Sequence, residues 1–343
     1  MSPVLLDVHE FSVDFETPAA TVSAVSGVTL QVAAGEIFGL VGESGCGKTT
    51  LSLAIMGLLA GGARTTGSVT FAGEELTSLG QERMRELRGD RISMILQDPM
   101  TSLDPTFSIG SQVSEVITAH REISARSVRA RAVELLREVG IPDAASRYND
   151  PPHRFSGGMR QRVVIAAALA NEPALLLADE PTTALDVTIQ AQILGLLRAL
   201  RDRHGTAIVL ITHDLGVVAQ VCDRVGVMYA GQLVETASTG ELFAAPRHPY
   251  TQALLAALPT TGQSPGSLRV IEGGVPDLSD PPAGCRFGPR CPHRMTECAV
   301  IPPLAGRPDG HQVACWLDPL TRAAAGHAGP SSAADQIQAG GRP

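Results

Sequence analysis

Eight consecutive residues, Gly42-Glu43-Ser44-Gly45-Cys46-Gly47-Lys48-Thr49, match the phosphate-binding pattern G-x-x-x-x-G-K-S/T at every fixed position. Backbone N–H groups can surround a phosphate only where no side chain blocks the approach, and Gly42, Gly45 and Gly47 leave that space. A helix beginning near Lys48 points its positive dipole end at the same anion. Lys48 supplies a mobile cation for β- and γ-phosphates, and the Thr49 hydroxyl is placed to meet Mg²⁺. Ser44, Cys46 and Thr50 complete the nucleotide-binding stretch, with Cys46 at a free position of the pattern and read as a passenger.

Farther along, polar residues close apolar runs. Leu175-Leu176-Leu177-Ala178 ends in Asp179-Glu180, and the apolar run 207–212 ends in His213-Asp214. A carboxylate at a buried strand's end suits Mg²⁺, and a second one directly after it can polarise a water for attack on a γ-phosphate. A histidine closing a strand parallel to that one falls at the same edge. Gln97 follows a third such run, 91–96. Ser156-Gly157-Gly158 opens an apolar helix with a capping hydroxyl and unshielded N–H groups, an anion-binding arrangement that is weak by itself. Ala184-Leu185-Asp186 falls in a turn before the next helix.

A separate chemistry is offered by Cys285, Cys291, Cys298 and Cys315, four of the six cysteines, spaced x5, x6 and x16. Four soft thiolates suit tetrahedral Zn²⁺ or an iron–sulfur cluster. The short C-x-x-C knuckles of structural zinc sites are absent, and the looser spacing favours the wider bite of a cluster. The surrounding Pro and Gly predict a segment with little core, which a metal would hold together.

The elements that must position these groups follow from periodicity. Residues 37–41 form a short apolar run suited to a buried strand, and 49–59 read as the helix after the phosphate loop. Alternation over 4–35 predicts an antiparallel β lead-in, carrying Phe15 as a candidate to stack on adenine or simply as a core aromatic. Between Gln97 and Ser156 the pattern is helical from 109 to 139, then broken by Pro142, Pro151 and Pro152. A mainly helical insert therefore interrupts an α/β core.

The chain has 343 residues, with 27 basic against 35 acidic side chains and a net charge of −8, which argues against a nucleic-acid partner. No basic segment leads into an apolar run at the N-terminus, and no apolar stretch approaches the ~20 residues of a spanning helix. The expectation is a cytoplasmic chain whose membrane role comes through a partner.

The order of these motifs resembles the ATP-binding subunit of ABC transporters over about residues 4–240. The resemblance implies an α/β, P-loop NTPase core of ABC type with an antiparallel β subdomain and a helical subdomain. Gln97 then touches Mg²⁺ and relays nucleotide state, Asp179 orients the metal, Glu180 is the general base and His213 senses the γ-phosphate. Phe15 becomes the adenine stack. Ser156, Gly157 and Gly158 form a signature loop for the opposite subunit's nucleotide, with Asp186 as a cross-dimer contact; Met159 stands where glutamine is usual.

The tail, with His248-Pro249-Tyr250 and Gly284-Cys285-Arg286-Phe287, is similar to the extension of dipeptide/oligopeptide importers, which nickel and glutathione importers share. Some peptide-importer ATPases carry a 4Fe–4S cluster there. The implied division is 1–257 nucleotide-binding domain (helical subdomain about 98–170), 258–320 Cys-rich extension and 321–343 disordered tail. Implied partners are a homologous second ATPase subunit in a heterodimer, two membrane permeases and, indirectly, an extracytoplasmic solute-binding protein. The chain would sit peripherally on the cytoplasmic face of the membrane. Two other classes are a soluble ABC ATPase acting on nucleic acid or the ribosome, which one cassette and negative charge disfavour, and a non-hydrolysing regulatory module, which Lys48, Asp179, Glu180 and His213 disfavour.

Overall fold

The alternation near the N-terminus builds two long antiparallel strands, β1 (Val4–Glu16) and β2 (Thr21–Ala33). In the computed structural model, which describes residues 3–97, 102–183, 185–258, 271–306 and 310–326, β1 changes its inward parity partway along. Leu6 and Val8 point inward on even positions, Phe11 and Val13 on odd ones. A bulge at His9-Glu10, with Glu10 at φ 44°, accounts for the switch. With β4 (Ala63–Phe71) and β5 (Glu74–Glu75) these strands form a four-stranded sheet in the order β2-β1-β4-β5.

The second sheet has seven strands, ordered β11-β10-β9-β3-β8-β7-β6. Its centre is β3 (Ile37–Val41), parallel to β8 (Ala207–Thr212) on one side and to β9 (Arg224–Tyr229) on the other. β7 (Leu175–Asp179) and β6 (Ile92–Ile95) continue the parallel run. Strands covered on both faces need unbroken apolar sequence, and every residue of β3, β7 and β8 is buried. β10 (Gln232–Ser238) returns antiparallel to β9, and the short β11 (Gln312–Val313) pairs with β10.

Helix Lys48–Ile55 follows β3 directly and lies between the sheets, its Leu51 and Ile55 sharing a core with Phe38, Leu40, Leu6, Val8 and Phe11. A second core forms where the insert packs on the parallel sheet. The helical stretch expected over 109–139 is two helices, Ile109–Thr118 and Ala125–Glu138. Ser124 separates them because its hydroxyl accepts the N–H of Ser127 at 3.2 Å, starting a new helix rather than continuing the old one. Both pack against helix Gly157–Ala168, through residues such as Val113, Ile117, Leu136 and Ile165.

Beyond β10, helix Pro249–Ala256 is capped by His248. The tail expected to be disordered from 321 begins with order, since Pro319–Ala324 is a helix capped by Asp318. Residues 327–343 of that tail, and 259–270 of the expected extension, lie outside the described residues. Among the described residues no helix is long and apolar enough to cross a membrane.

Candidate functional site

The phosphate loop leaves β3 at Val41 and enters the helix at Lys48. Gly47 has φ 98°, and a Cβ there would collide with the Ala24 carbonyl; a Cβ on Gly42 would strike the Met228 carbonyl. Only glycine permits both the backbone conformation and that approach. Lys48 is 5% exposed, and its ammonium donates to the carbonyls of Gly42 (2.8 Å) and Glu43 (3.0 Å). The loop encloses a cavity of ≈ 150 Å³ lined by Ala24, Ser44 to Thr50, Gln97 and Glu180. Cys46 is buried beside Lys48, and burial pushes its thiol up against the opposing pull of that cation.

Parallel pairing of β7 with β8 delivers the catalytic candidates to one edge. Glu180 steps out of β7 with φ 46°, an unusual conformation for a non-glycine residue, held by its N–H donating to the Ile211 carbonyl at 2.9 Å. Its carboxylate accepts from Gln97 Nε2 at 3.0 Å and from the Thr183 hydroxyl at 2.8 Å, while its other oxygen lies 3.0 Å from His213 Nδ1. Burial acts to raise this carboxyl, yet the hydrogen bonds from His213 and Thr183, with the charges of His213 and Lys48, hold it below the usual carboxylate range. Gln97 and Glu180, from the ends of two strands, thus line the phosphate cavity, and His213, from the end of a third, reaches it only through Glu180.

Asp179 is 1% exposed. Burial raises its carboxyl, opposed by a hydrogen bond with Thr49 and the charge of Lys48. Its Oδ1 is buried and has no hydrogen-bond partner among the described residues. A buried, unpartnered carboxylate oxygen beside the Thr49 hydroxyl is an oxygen-rich setting that fits Mg²⁺.

Not every predicted residue joins this site. Ser156 caps helix Gly157–Ala168, accepting the Met159 N–H at 3.3 Å, and Asp186 caps helix Val187–His204, accepting the Ile189 N–H at 2.9 Å. The two helix starts are neighbours, since a Cβ on Gly157 would lie 3.8 Å from Leu185 and Gly158 abuts Ile189. None of Ser156, Gly157, Gly158 or Asp186 lines the phosphate cavity of its own chain. Phe15 is half-buried against the β-sheet core and is not part of the cavity lining either, while Phe11 is 1% exposed and belongs to the core.

The metal expectation at the cysteines is corrected. Cys285, Cys291, Cys298 and Cys315 are free thiols, and Cys285 N–H donates to the Cys298 carbonyl at 2.9 Å. Burial pushes up the thiols of Cys285 and Cys291, and that of Cys315 to about 12, with neighbouring thiols adding to the effect. Among the described residues, which include all four, no three Cys, His, Asp or Glu side chains are arranged to hold a metal ion. Neither Zn²⁺ nor a 4Fe–4S cluster is supported by this arrangement. The premise that the segment lacks a core also fails. Phe287, Val313 and Trp316 are buried, Trp316 Nε1 donates to the Val300 carbonyl at 2.9 Å, and β11 joins the main sheet. Packing supplies the cohesion that a metal was expected to supply.

Sequence reasoning missed three contributors. Thr183 binds the Glu180 carboxylate three residues on, within reach of a turn and therefore detectable. Tyr250 and Arg290 contact Glu43 across 207 and 247 residues, and no local pattern signals either contact.

Residues 25–183 match the model of the ABC transporter family, and residues 234–298 match that of the oligopeptide/dipeptide transporter C-terminal region. The chain is 49% identical over 316 residues to the dipeptide transport ATP-binding protein DppD of Bacillus subtilis, covering 91% of this chain and 94% of that protein. It is 47% identical over 312 residues to the oligopeptide transport ATP-binding protein OppD of Escherichia coli, covering 91% and 93%. Among solved structures it resembles the ATP-binding cassette MJ0796 in a dimeric, post-hydrolysis state bound to ADP and Pi. That match has a TM-score of 0.62 and 27% identity, and covers 68% of this chain and 99% of that chain. With the phosphate loop, the Asp179-Glu180 edge and both family regions in one polypeptide, the chain belongs to the ABC transporter family of ATP-binding proteins, on its oligopeptide/dipeptide branch.

Proposed function

We propose that this chain is the ATP-hydrolysing subunit of an ABC importer for dipeptides or oligopeptides, coupling ATP turnover to solute uptake through membrane subunits. The observation that carries the reading is that Gln97 and Glu180 line the phosphate cavity, with His213 bound to the Glu180 carboxylate. The names of the DppD and OppD relatives support peptide as the solute.

In this reading the loop N–H groups and Lys48 hold the triphosphate, and Lys48 exchanges its two carbonyl partners for phosphate oxygens. Thr49 and Asp179, with Gln97, would hold Mg²⁺, which would supply neutralisation of phosphate charge. Glu180, kept ionised at neutral pH, accepts a proton from the attacking water, and His213 fixes the carboxylate and faces the γ-phosphate. Phe15 is assigned to the adenine. Ser156, Gly157, Gly158 and Asp186 serve a second ATPase subunit's nucleotide, a role supported by their absence from this chain's own cavity and by the dimeric state of the MJ0796 cassette. That second subunit is taken to be homologous but not identical.

The same edge offers a place for a membrane subunit. A mainly apolar groove of ≈ 480 Å³ runs between helix Lys48–Ile55, β6 and the helical insert, lined by residues including Met56, Leu58, Leu96, Leu103, Val116 and Val164. Its wall includes Leu96, the residue before Gln97, so an element seated there can feel the state of the nucleotide edge. The division proposed is 1–257 for the nucleotide-binding domain, with 98–170 as the helical subdomain, and 258–320 for a C-terminal extension. The extension is no detached module, since β11 extends the cassette's own sheet. The protein would act peripherally at the cytoplasmic face of the membrane.

The test is reconstitution of the chain with its permeases and second ATPase in liposomes. ATP-driven uptake of labelled di- or oligopeptide is the expected result. Uptake of nickel or glutathione instead would overturn the solute, and failure to associate with any membrane subunit would overturn the importer class.

A further inference from the structure

The first variable residue of the phosphate loop, Glu43, is gripped by the C-terminal part of the chain. Its backbone N–H donates to Tyr250 Oη at 3.0 Å. Its carboxylate receives both ends of the Arg290 guanidinium, at 2.7 and 3.2 Å. On the loop side the Glu43 carbonyl accepts from Lys48 Nζ at 3.0 Å and from the Cys46 N–H at 3.3 Å. One residue therefore joins the catalytic lysine to two side chains far away in sequence.

Both anchors are rigid. The Arg290 side chain is 6% exposed, and its remaining donors go to the carbonyls of Glu272 (2.9 Å) and Ile271 (3.2 Å) and to Tyr229 Oη (3.3 Å). Tyr250 is fully buried, its ring 4.6 Å from that of Tyr229 and 5.4 Å from that of Phe287. His248 Nδ1 accepts the Tyr250 N–H at 3.0 Å, so the His-Pro-Tyr turn aims the phenol at the loop. A bidentate, buried arginine pair fixes geometry as well as charge. Electrostatics gives the pair a second effect. An unpaired carboxylate on the phosphate loop would repel the polyphosphate that the loop exists to hold, and Arg290 cancels that charge.

We infer that Arg290 and Tyr250 are positioning residues of the nucleotide site, which hold the phosphate loop through Glu43 and set the chain's affinity for Mg·ATP. The C-terminal segment is then a working part of the ATP site. This rests on the reading of the loop as an ATP site, and the test separates the two.

Affinity of the folded full-length chain for Mg·ATPγS is measured by calorimetry, with circular dichroism confirming the fold of each variant. Arg290→Gln should weaken binding about tenfold, and Arg290→Lys, which keeps the charge but not the fork, about threefold. Adding Glu43→Gln to Arg290→Gln removes the unpaired charge and should restore affinity to within about threefold of the parent. A purely structural pair would not show that recovery. Tyr250→Phe, which leaves the Glu43 N–H without its acceptor, should cost about threefold and serves as the deciding variant if Arg290→Gln does not fold. Unchanged affinity in folded Arg290→Gln, or in Tyr250→Phe where that variant decides, overturns the inference. So does a double variant as weak as Arg290→Gln. A parent chain that binds no Mg·ATPγS overturns the ATP reading itself.

Discussion

Replacing Glu180 by glutamine separates its proposed role as base from everything else that the residue does. The carboxylate has three neighbours: Gln97 Nε2 and the Thr183 hydroxyl donate to one oxygen, and His213 Nδ1 faces the other. A glutamine can place its carbonyl oxygen where the first oxygen sits and keep both donors. Its NH₂ then meets His213 Nδ1, which accepts in its other neutral tautomer. One charge is lost and no hydrogen bond need be, so stability should change by no more than about 1 kcal/mol. Lys48, Thr49 and Asp179 are untouched, so Mg·ATP binding should persist. The amide cannot take a proton from water at neutral pH, and loss of a general base costs ~10²–10⁴ in rate. The assay is phosphate release by the complex assembled with its partner subunits, beside Mg·ATP binding by the same preparation. Hydrolysis within about threefold of the parent, well short of that loss, would refute Glu180 as the base. Loss of binding along with turnover would refute the claim that its role is confined to the chemical step.

The isolated chain, shown to be monomeric during turnover, should hydrolyse ATP far more slowly than the assembled complex, because Ser156-Gly157-Gly158 does not line its own cavity; equal rates per site would contradict this. Lys48→Ala should abolish measurable ATP binding in equilibrium titration, since it removes the buried cation of the loop. Leu58→Asp, at an exposed position in the apolar groove, should reduce co-purification with the membrane subunits while ATP binding by the free chain survives, and undiminished assembly would show the groove is not the docking surface. Burial pushes the His248 imidazole down to about 3 from an ordinary 6.5, so it stays neutral in the fold and takes up a proton on unfolding. Stability is then complete above about pH 6.5 and declines on acidification towards about 3, with about 2 kcal/mol lost by about pH 5. His248→Asn, which can still cap the Tyr250 N–H, should flatten that dependence in thermal melts, and an unaltered slope would exclude His248 as its source.

Local residue order is enough for the elements and for the chemistry that depends on short spacing. The loop needs Gly, Lys and Thr at fixed local offsets, and strands buried on both faces need unbroken apolar runs, so β3, β7 and β8 and the polar residues that end them were legible. The helix start at Ser124 was less so, because a serine in a helical pattern reads as a cap or as a tolerated interior residue. Which strand ends meet was set by three-dimensional packing. Gln97, Glu180 and His213 are brought together by the order β8-β7-β6, which hydropathy does not encode. It decided also that the cysteine-bearing segment has its own packing, through Phe287, Trp316 and β11, where local composition suggested that a metal was needed. The grip of Tyr250 and Arg290 on Glu43 belongs to the same class. It joins residues more than two hundred positions apart, and a contact set by how two surfaces pack leaves no periodic trace in the chain.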